Sequence, residues 1–118
     1  MNKLDYAIVF VGDMKRAISF YRDILDIPVK CESPEWTELA TEGCTIALHL
    51  DKDADPTPAT QSAGRCQLGF RVPDIDKFHE KMLANHVRCI RPPKQEDFGG
   101  KLGLYADPDG LIISVVQI

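Results

Sequence analysis

Val11-Gly12-Asp13 and, further along, Val72-Pro73-Asp74 are the stretches whose reading decides the fold. Each closes a short apolar run and opens a segment with apolar residues at helical spacing. When the triplets are superposed, the chain falls into halves offset by 61 residues, the distance from Val11 to Val72. Tyr6 then lies on Gln67, Met14 on Ile75, Ala17 on Phe78, Tyr21 on Met82 and Leu25 on His86. Strand, acidic cap and apolar stripe recur in one order, so the chain reads as two copies of one supersecondary unit.

Working outward from the first triplet, Asp13 suits a helix N-cap, because its carboxylate can accept from the free N–H groups of the first turn. Met14, Ala17, Ile18, Tyr21, Ile24 and Leu25 form a stripe of period 3.6, with Lys15, Arg16, Arg22 and Asp23 facing out. Pro28 ends that helix. The strand ahead of the triplet, 4–11, is apolar at both alternations and is expected to be buried on both faces. Strands follow at 28–32, 36–41 and 44–50, separated by Ser33-Pro34-Glu35 and Glu42-Gly43. The first half is thus βαβββ.

Residues 51–65, rich in Pro, Ala, Thr and Ser without periodicity, read as a linker. The second half repeats the order. It has a strand at 66–72, a helix capped by Asp74 with Ile75, Phe78 and Met82 on one stripe, and a strand at 87–91. A loop then runs from Pro92-Pro93 to Gly99-Gly100, followed by strands at 101–106 and 111–117 around the turn Asp107-Pro108-Asp109-Gly110. The expectation is one α+β domain of two βαβββ modules, about 1–50 and about 66–118.

The composition, 44% hydrophobic and 27% charged over 118 residues, is that of an ordinary folded domain. A net charge of -4 offers no electrostatic attraction to nucleic acid or an anionic membrane. No stretch approaches the ~18 apolar residues that span a bilayer. The start, Met-Asn-Lys-Leu-Asp, lacks a signal-peptide core, so the protein is placed in the cytoplasm. Cys31, Cys44, Cys66 and Cys89 include no C-x-x-C pair, which removes zinc-ribbon and thioredoxin readings. They are expected to be free thiols acting as small buried hydrophobes.

Three segments resemble signatures of the vicinal oxygen chelate superfamily, also called the glyoxalase/bleomycin-resistance/dioxygenase superfamily. They are Val11-Gly12-Asp13-Met14 with Ser19-Phe20-Tyr21-Arg22-Asp23-Ile24-Leu25, then Phe70-Arg71-Val72-Pro73-Asp74-Ile75-Asp76, then Gly99-Gly100-Lys101-Leu102 with Tyr105-Ala106-Asp107-Pro108-Asp109-Gly110-Leu111. The resemblance covers essentially the whole chain. It implies modules that form a curved mixed sheet around a concave cleft, with helices on the convex side. It also implies a homodimer, in which the modules pair within one chain or swap between chains.

The resemblance assigns the family's metal-ligand positions to Tyr6, Ala47, Gln67 and Ser114, with His49 two residues beyond Ala47. Of these, only Gln67 matches a family ligand type, so no metal site is assigned. The alternative is a divalent metal recruited by His49 and Gln67. Strand alternation makes Tyr6, Ile8, Phe10, Gly69, Arg71, Ile112 and Val116 cleft-facing. An apolar groove with a few polar groups suits a small molecule. Arg71 either meets a carboxylate or phosphate of the ligand or pairs with Glu38 at the rim. His49 is the one candidate catalytic group, or else a rim histidine. Trp36 stacks on a planar ligand or packs at the dimer contact. His79 reads as half-buried packing, His86 as a helix-end residue, and 94–100 as a lid tipped by Phe98 or a mobile loop.

The first reading of function is therefore a small-molecule-binding protein of the bleomycin-resistance kind, its ligand planar or anionic. The second is a metal-dependent lyase or isomerase of the glyoxalase type. The third is a sensing or interaction module without chemistry. The ligand-binding set carried forward is Tyr6, Phe10, Trp36, His49, Gln67, Arg71 and Ser114.

Overall fold

A computed structural model describes residues 5–51 and 67–118. Cys66, the first residue of one expected strand and the bulk of the expected linker lie outside that range. The chain divides into two compact units, Met1–Pro56 and Thr57–Ile118.

The first unit holds β1 (Tyr6–Val11), α1 (Met14–Ile18), a π-helical segment (Ser19–Ile24), β2 (Val29–Glu32), β3 (Trp36–Leu39) and β4 (Thr45–Leu50). The second holds β5 (Leu68–Arg71), α2 (Ile75–Ala84), β6 (Cys89–Gln95), β7 (Lys101–Ala106) and β8 (Ile112–Gln117). The expected βαβββ order is present in both. The ladders form two four-stranded sheets, in the orders β1-β4-β3-β2 and β5-β8-β7-β6. In each sheet the first strand pairs parallel with the last and the remaining pairs are antiparallel. Among the described residues no helix is long and apolar enough to cross a membrane.

The acidic caps act as their sequence suggests. Asp13 Oδ1 accepts from the Arg16 N–H, and Asp74 Oδ1 accepts from the Lys77 N–H, both at 3.1 Å. The helix ends also match in kind. Asp26 (φ 58°) and His86 (φ 57°) each adopt the left-handed conformation that stops a helix. After His86, the Val87 N–H reaches back to the Met82 carbonyl and the His86 N–H to that of Leu83. His86 is thus a backbone-terminating residue.

The halves are not in perfect register. From Asp13 to Asp26 is 13 positions, and from Asp74 to His86 is 12. The π-helical segment absorbs the extra residue. Its widened turn is marked by the Leu25 N–H bonding to the Phe20 carbonyl, five residues back, at 3.0 Å. An uninterrupted α-helix with Ile24 and Leu25 in its buried stripe is therefore corrected. Adjacent Phe20 and Tyr21 are both buried, their rings edge-on at 5.0 Å, while Ile24 and Leu25 are only half-buried.

Two strand expectations also change. β1 is not buried on both faces: its alternate residues Tyr6, Ile8 and Phe10 are exposed while Val9 and Val11 are buried, so only one face of the sheet packs the helix. β6 runs straight through Pro92-Pro93 instead of giving way to a loop there. It is an edge strand, and its register slips between Arg91 and Lys94, so the two missing N–H donors cost no ladder bonds.

The turn into β8 behaves as its residues require. Buried Asp107 accepts from the N–H groups of Asp109 (2.9 Å) and Leu111 (2.8 Å). Gly110 takes φ 87°, a conformation that side chains resist.

Candidate functional site

Strand pairing sorts the candidates onto the open sheet face of each unit, away from the buried residues that pack the helices. In the first unit, β1 and β4 align Tyr6 with Thr45, Ile8 with Ala47 and Phe10 with His49. β3 then adds Trp36 beside His49 and Glu38 beside Ala47. The result is a row of aromatic rings. Tyr6 stands edge-on to Trp36 at 6.3 Å, Trp36 edge-on to His49 at 5.8 Å, and His49 tilted against Phe10 at 5.4 Å. Tyr6 and Phe10 are 51% and 57% exposed, so this is an accessible aromatic surface.

Two hydrogen bonds fix its polar edges. His49 Nδ1 lies 2.9 Å from the Leu50 carbonyl. A carbonyl only accepts, so Nδ1 carries the proton and Nε2 is the ring's free edge. The Trp36 Nε1–H donates to Glu38 Oε2 at 3.2 Å, which holds the indole edge-on to its neighbours.

Glu38 is a hub missed in the sequence. Besides Trp36 it accepts from the Cys31 Sγ–H at 3.4 Å, and Lys30 Nζ lies 3.9 Å from its Oε1 and 3.3 Å from Thr45 Oγ1. The Trp36 bond, then the Cys31 bond, then the Lys30 charge hold its carboxyl below the usual carboxylate range, against a partial opposing effect of desolvation. The signal was hidden because the β2–β3 register slips between Val29 and Cys31, which breaks simple alternation. Glu38 thus finds its partners within its own sheet. Cys31 is corrected too, being an exposed thiol rather than a buried hydrophobe, while Cys44 and Cys89 are half-buried.

In the second unit, β5 and β8 align Gly69 with Ser114 and Arg71 with Val116. A Cβ on Gly69 would sit 3.3 Å from Ser114 Oγ, so the position is tight against that hydroxyl. Gln67 precedes β5 on the same alternation and is exposed, as is Arg71. Beyond Ser114 the face is apolar. Ile112, Leu104 and Ala106 form a buried cluster with Ile90 and Leu102, so Ile112 is part of the floor rather than an accessible wall. At the far edge, Arg91 is paired with Glu96 at 2.9 Å.

On the helix side of that sheet, His79 Nδ1 lies 2.9 Å from the Tyr105 hydroxyl, and Phe78 packs edge-on to the same ring at 5.4 Å. His79 therefore packs, as expected. Burial pushes the Tyr105 phenol well above its ordinary pKa. The stretch expected as a lid or a mobile loop is a hairpin turn. Its ends are joined by the Glu96 N–H to the Gly100 carbonyl at 2.8 Å, and Phe98 is exposed at its tip. A cavity of about 410 Å³ lies between the start of α1 and the β2–β3 turn, lined by Met14, Ile18 and Pro34 among others, and none of the candidate residues lines it.

The model of the glyoxalase/bleomycin resistance protein/dioxygenase superfamily matches residues 3–115. The chain belongs to this superfamily. Among proteins similar to it, the metallothiol transferase FosB of Shouchella clausii is 26% identical over 118 residues, covering 98% of this chain and 80% of that protein. A protein of unknown function from Agrobacterium tumefaciens, solved by crystallography, is 27% identical with a TM-score of 0.78, covering 100% of this chain and 94% of that one. A superfamily enzyme from Burkholderia phytofirmans superposes with a TM-score of 0.83 at 17% identity, each chain covered to 99%, which supports the fold alone.

Superfamily membership raises the question of a divalent metal, and the donors present do not fit one. The four positions that the resemblance assigns to metal ligands carry a phenol (Tyr6), a methyl (Ala47), an amide (Gln67) and a hydroxyl (Ser114). Ala47 offers no donor atom at all, and the others lack the imidazole or carboxylate that compensates a divalent cation for its lost water. Among the described residues, no three His, Cys, Asp or Glu side chains group as a metal site would require.

Proposed function

We propose that this superfamily member binds a small planar molecule against the open face of its first unit, without a resident metal. The observation that carries this reading is the row Tyr6–Trp36–His49–Phe10, exposed at Tyr6, His49 and Phe10 and half-buried at Trp36, which Glu38 holds. Aromatic rings packed against one another offer contact area at little cost in side-chain entropy. His49 Nε2 adds one acceptor, or one donor when protonated, at the edge of that surface. The chain works as a homodimer in this reading, as the family resemblance implies.

The test uses the protein's own reporter. Trp36 is the single tryptophan, so its fluorescence reports the site directly. Planar aromatic compounds titrated into the protein should quench and shift that emission saturably, equally with and without chelator. Unchanged emission across an aromatic library would remove the reading. Sedimentation equilibrium tests the dimer, and a monomer at high concentration would overturn it.

A second reading, glyoxalase-type metal chemistry, draws on the relative named as a metallothiol transferase. It requires near-stoichiometric metal and a melting temperature lowered by chelator.

A further inference from the structure

We propose that the cavity between the start of α1 and the β2–β3 turn binds a free α-amino acid with an apolar side chain. The cavity belongs to the first unit alone and is separate from the aromatic row, none of whose residues lines it.

The duplication of the chain supplies the comparison. Phe10 and Arg71 hold one position of the repeat. Phe10 pairs with His49 and His49 with Trp36, while Arg71 pairs with Val116 and Val116 with Leu102. Trp36 and Leu102 therefore correspond, and so do the residues before them, Glu35 and Lys101. At the helix starts, Lys15 corresponds to Asp76. In the second unit Lys101 Nζ reaches Asp76 Oδ2 at 3.3 Å, an ion pair that ties the start of β7 to α2. In the first unit the two charges are present with their signs exchanged, and the pair is not made. Among the described residues, neither Lys15 nor Glu35 has an ion-pair partner. A cavity of about 410 Å³ opens beside Lys15 instead.

The lining matches the chemistry of an amino acid. Met14 and Ile18 form an apolar floor and Pro34 one wall. Lys15 stands on the helix side, and Glu32, the last residue of β2, on the sheet side. Among the described residues neither side chain has an ion-pair or hydrogen-bond partner. The other polar lining groups are committed. Asp13 accepts from the Arg16 N–H, and Ser33 Oγ donates to the Trp36 carbonyl at 2.7 Å, which fixes the turn. Lys15 is thus matched by the ligand's carboxylate, Glu32 by its ammonium, and the floor by its side chain. A simple acid leaves Glu32 facing a like charge, and a simple amine does the same to Lys15, so the two residues together select a zwitterion. The volume lies at the low end of the roughly 300–1,000 Å³ typical of small-molecule sites, which suits one amino acid rather than a peptide.

The experiment is a titration of the full chain with leucine, followed by amide NMR shifts. Three further probes each lack one of its groups: isocaproate the ammonium, isopentylamine the carboxylate, and glycine the side chain. Leucine should shift the amides of Lys15, Ile18 and Ser33, bind about fivefold more tightly than each of the three, and weaken with added salt. Lys15→Gln should remove the advantage over isopentylamine, and Glu32→Gln the advantage over isocaproate. Both positions are exposed, and thermal melts of the variants separate a loss of binding from a loss of folding. Lys101→Gln, which removes the same charge from the paired counterpart in the second unit, should leave leucine binding intact. Equal affinity for leucine and either the acid or the amine overturns the site, as does leucine binding that neither Lys15→Gln nor Glu32→Gln alters. No shift with leucine overturns it too. Each of these results leaves the planar-ligand reading in place, because the two sites share no lining residue.

Discussion

The indole N–H of Trp36 donates to the carboxylate of Glu38, two residues along the same strand, at 3.2 Å. Side chains at i and i+2 share a face of a strand, so one acidic residue sets the orientation of the only tryptophan. This bond ties the chemistry of the site to pH. The Glu38 carboxyl is held down chiefly by Trp36, and then by Cys31. Its depressed folded-state pKa makes its contribution fully present above the ordinary carboxylate range, and lost only as pH falls through the lower folded value. Trp36 emission should therefore stay constant on acidification through about pH 4.3, the ordinary value for Glu, and change below it. Glu38→Gln should abolish that step, and a step unaltered in the variant would detach Trp36 from Glu38.

Phe10 is 57% exposed at an edge strand and touches the site through His49. Phe10→Ala should change stability by less than about 0.5 kcal/mol, because little buried surface is lost. It should weaken binding of a planar ligand by roughly tenfold, since an aromatic contact contributes about 0.5–1.5 kcal/mol beyond its area. Calorimetric titration and a thermal melt on the same sample separate the two effects, and a large fall in melting temperature with unchanged affinity would contradict the assignment.

Tyr105 is fully buried, and its hydroxyl meets His79. Burial raises its pKa, so folding favours the neutral phenol. That contribution is complete below the unfolded value of about 10 and is lost as pH rises toward the folded value. The melting temperature should fall above about pH 10, and Tyr105→Phe should flatten that alkaline limb. At neutral pH the same variant loses one hydrogen bond and leaves His79 unpaired, about 1 kcal/mol or roughly 4 °C in melting temperature. An alkaline limb identical in the variant would place the responsible group elsewhere.

Asp107 closes the turn before β8 with two backbone hydrogen bonds. Asp107→Ala should cost about 2 kcal/mol, because charge-assisted bonds are lost in a buried turn. Asp107→Asn, which keeps one acceptor oxygen, should cost less. Denaturant unfolding measures both, and equal losses would mean that the charge rather than the acceptor geometry carries the effect.

The organisation of the chain was legible in the sequence because it rests on local rules. Acidic caps at Asp13 and Asp74, apolar stripes of period 3.6 and the Asp107–Gly110 turn all act over a few residues, and all appear where their chemistry places them. Alternation likewise put Tyr6, Phe10 and His49 on one face and Gly69, Arg71 and Ser114 on another. What local rules could not show are the register slips. One extra residue between Asp13 and Asp26 is taken up by a π turn that buries Phe20. A slip in β2 groups Lys30 and Cys31 around Glu38, and another in β6 lets a strand run through two prolines. Each slip is decided by which backbone groups find partners and which side chains can be buried together. These are properties of neighbouring strands and helices, so only the tertiary structure decided where the charge of Glu38 is satisfied and that Arg71 is left with none of its own sheet's carboxylates.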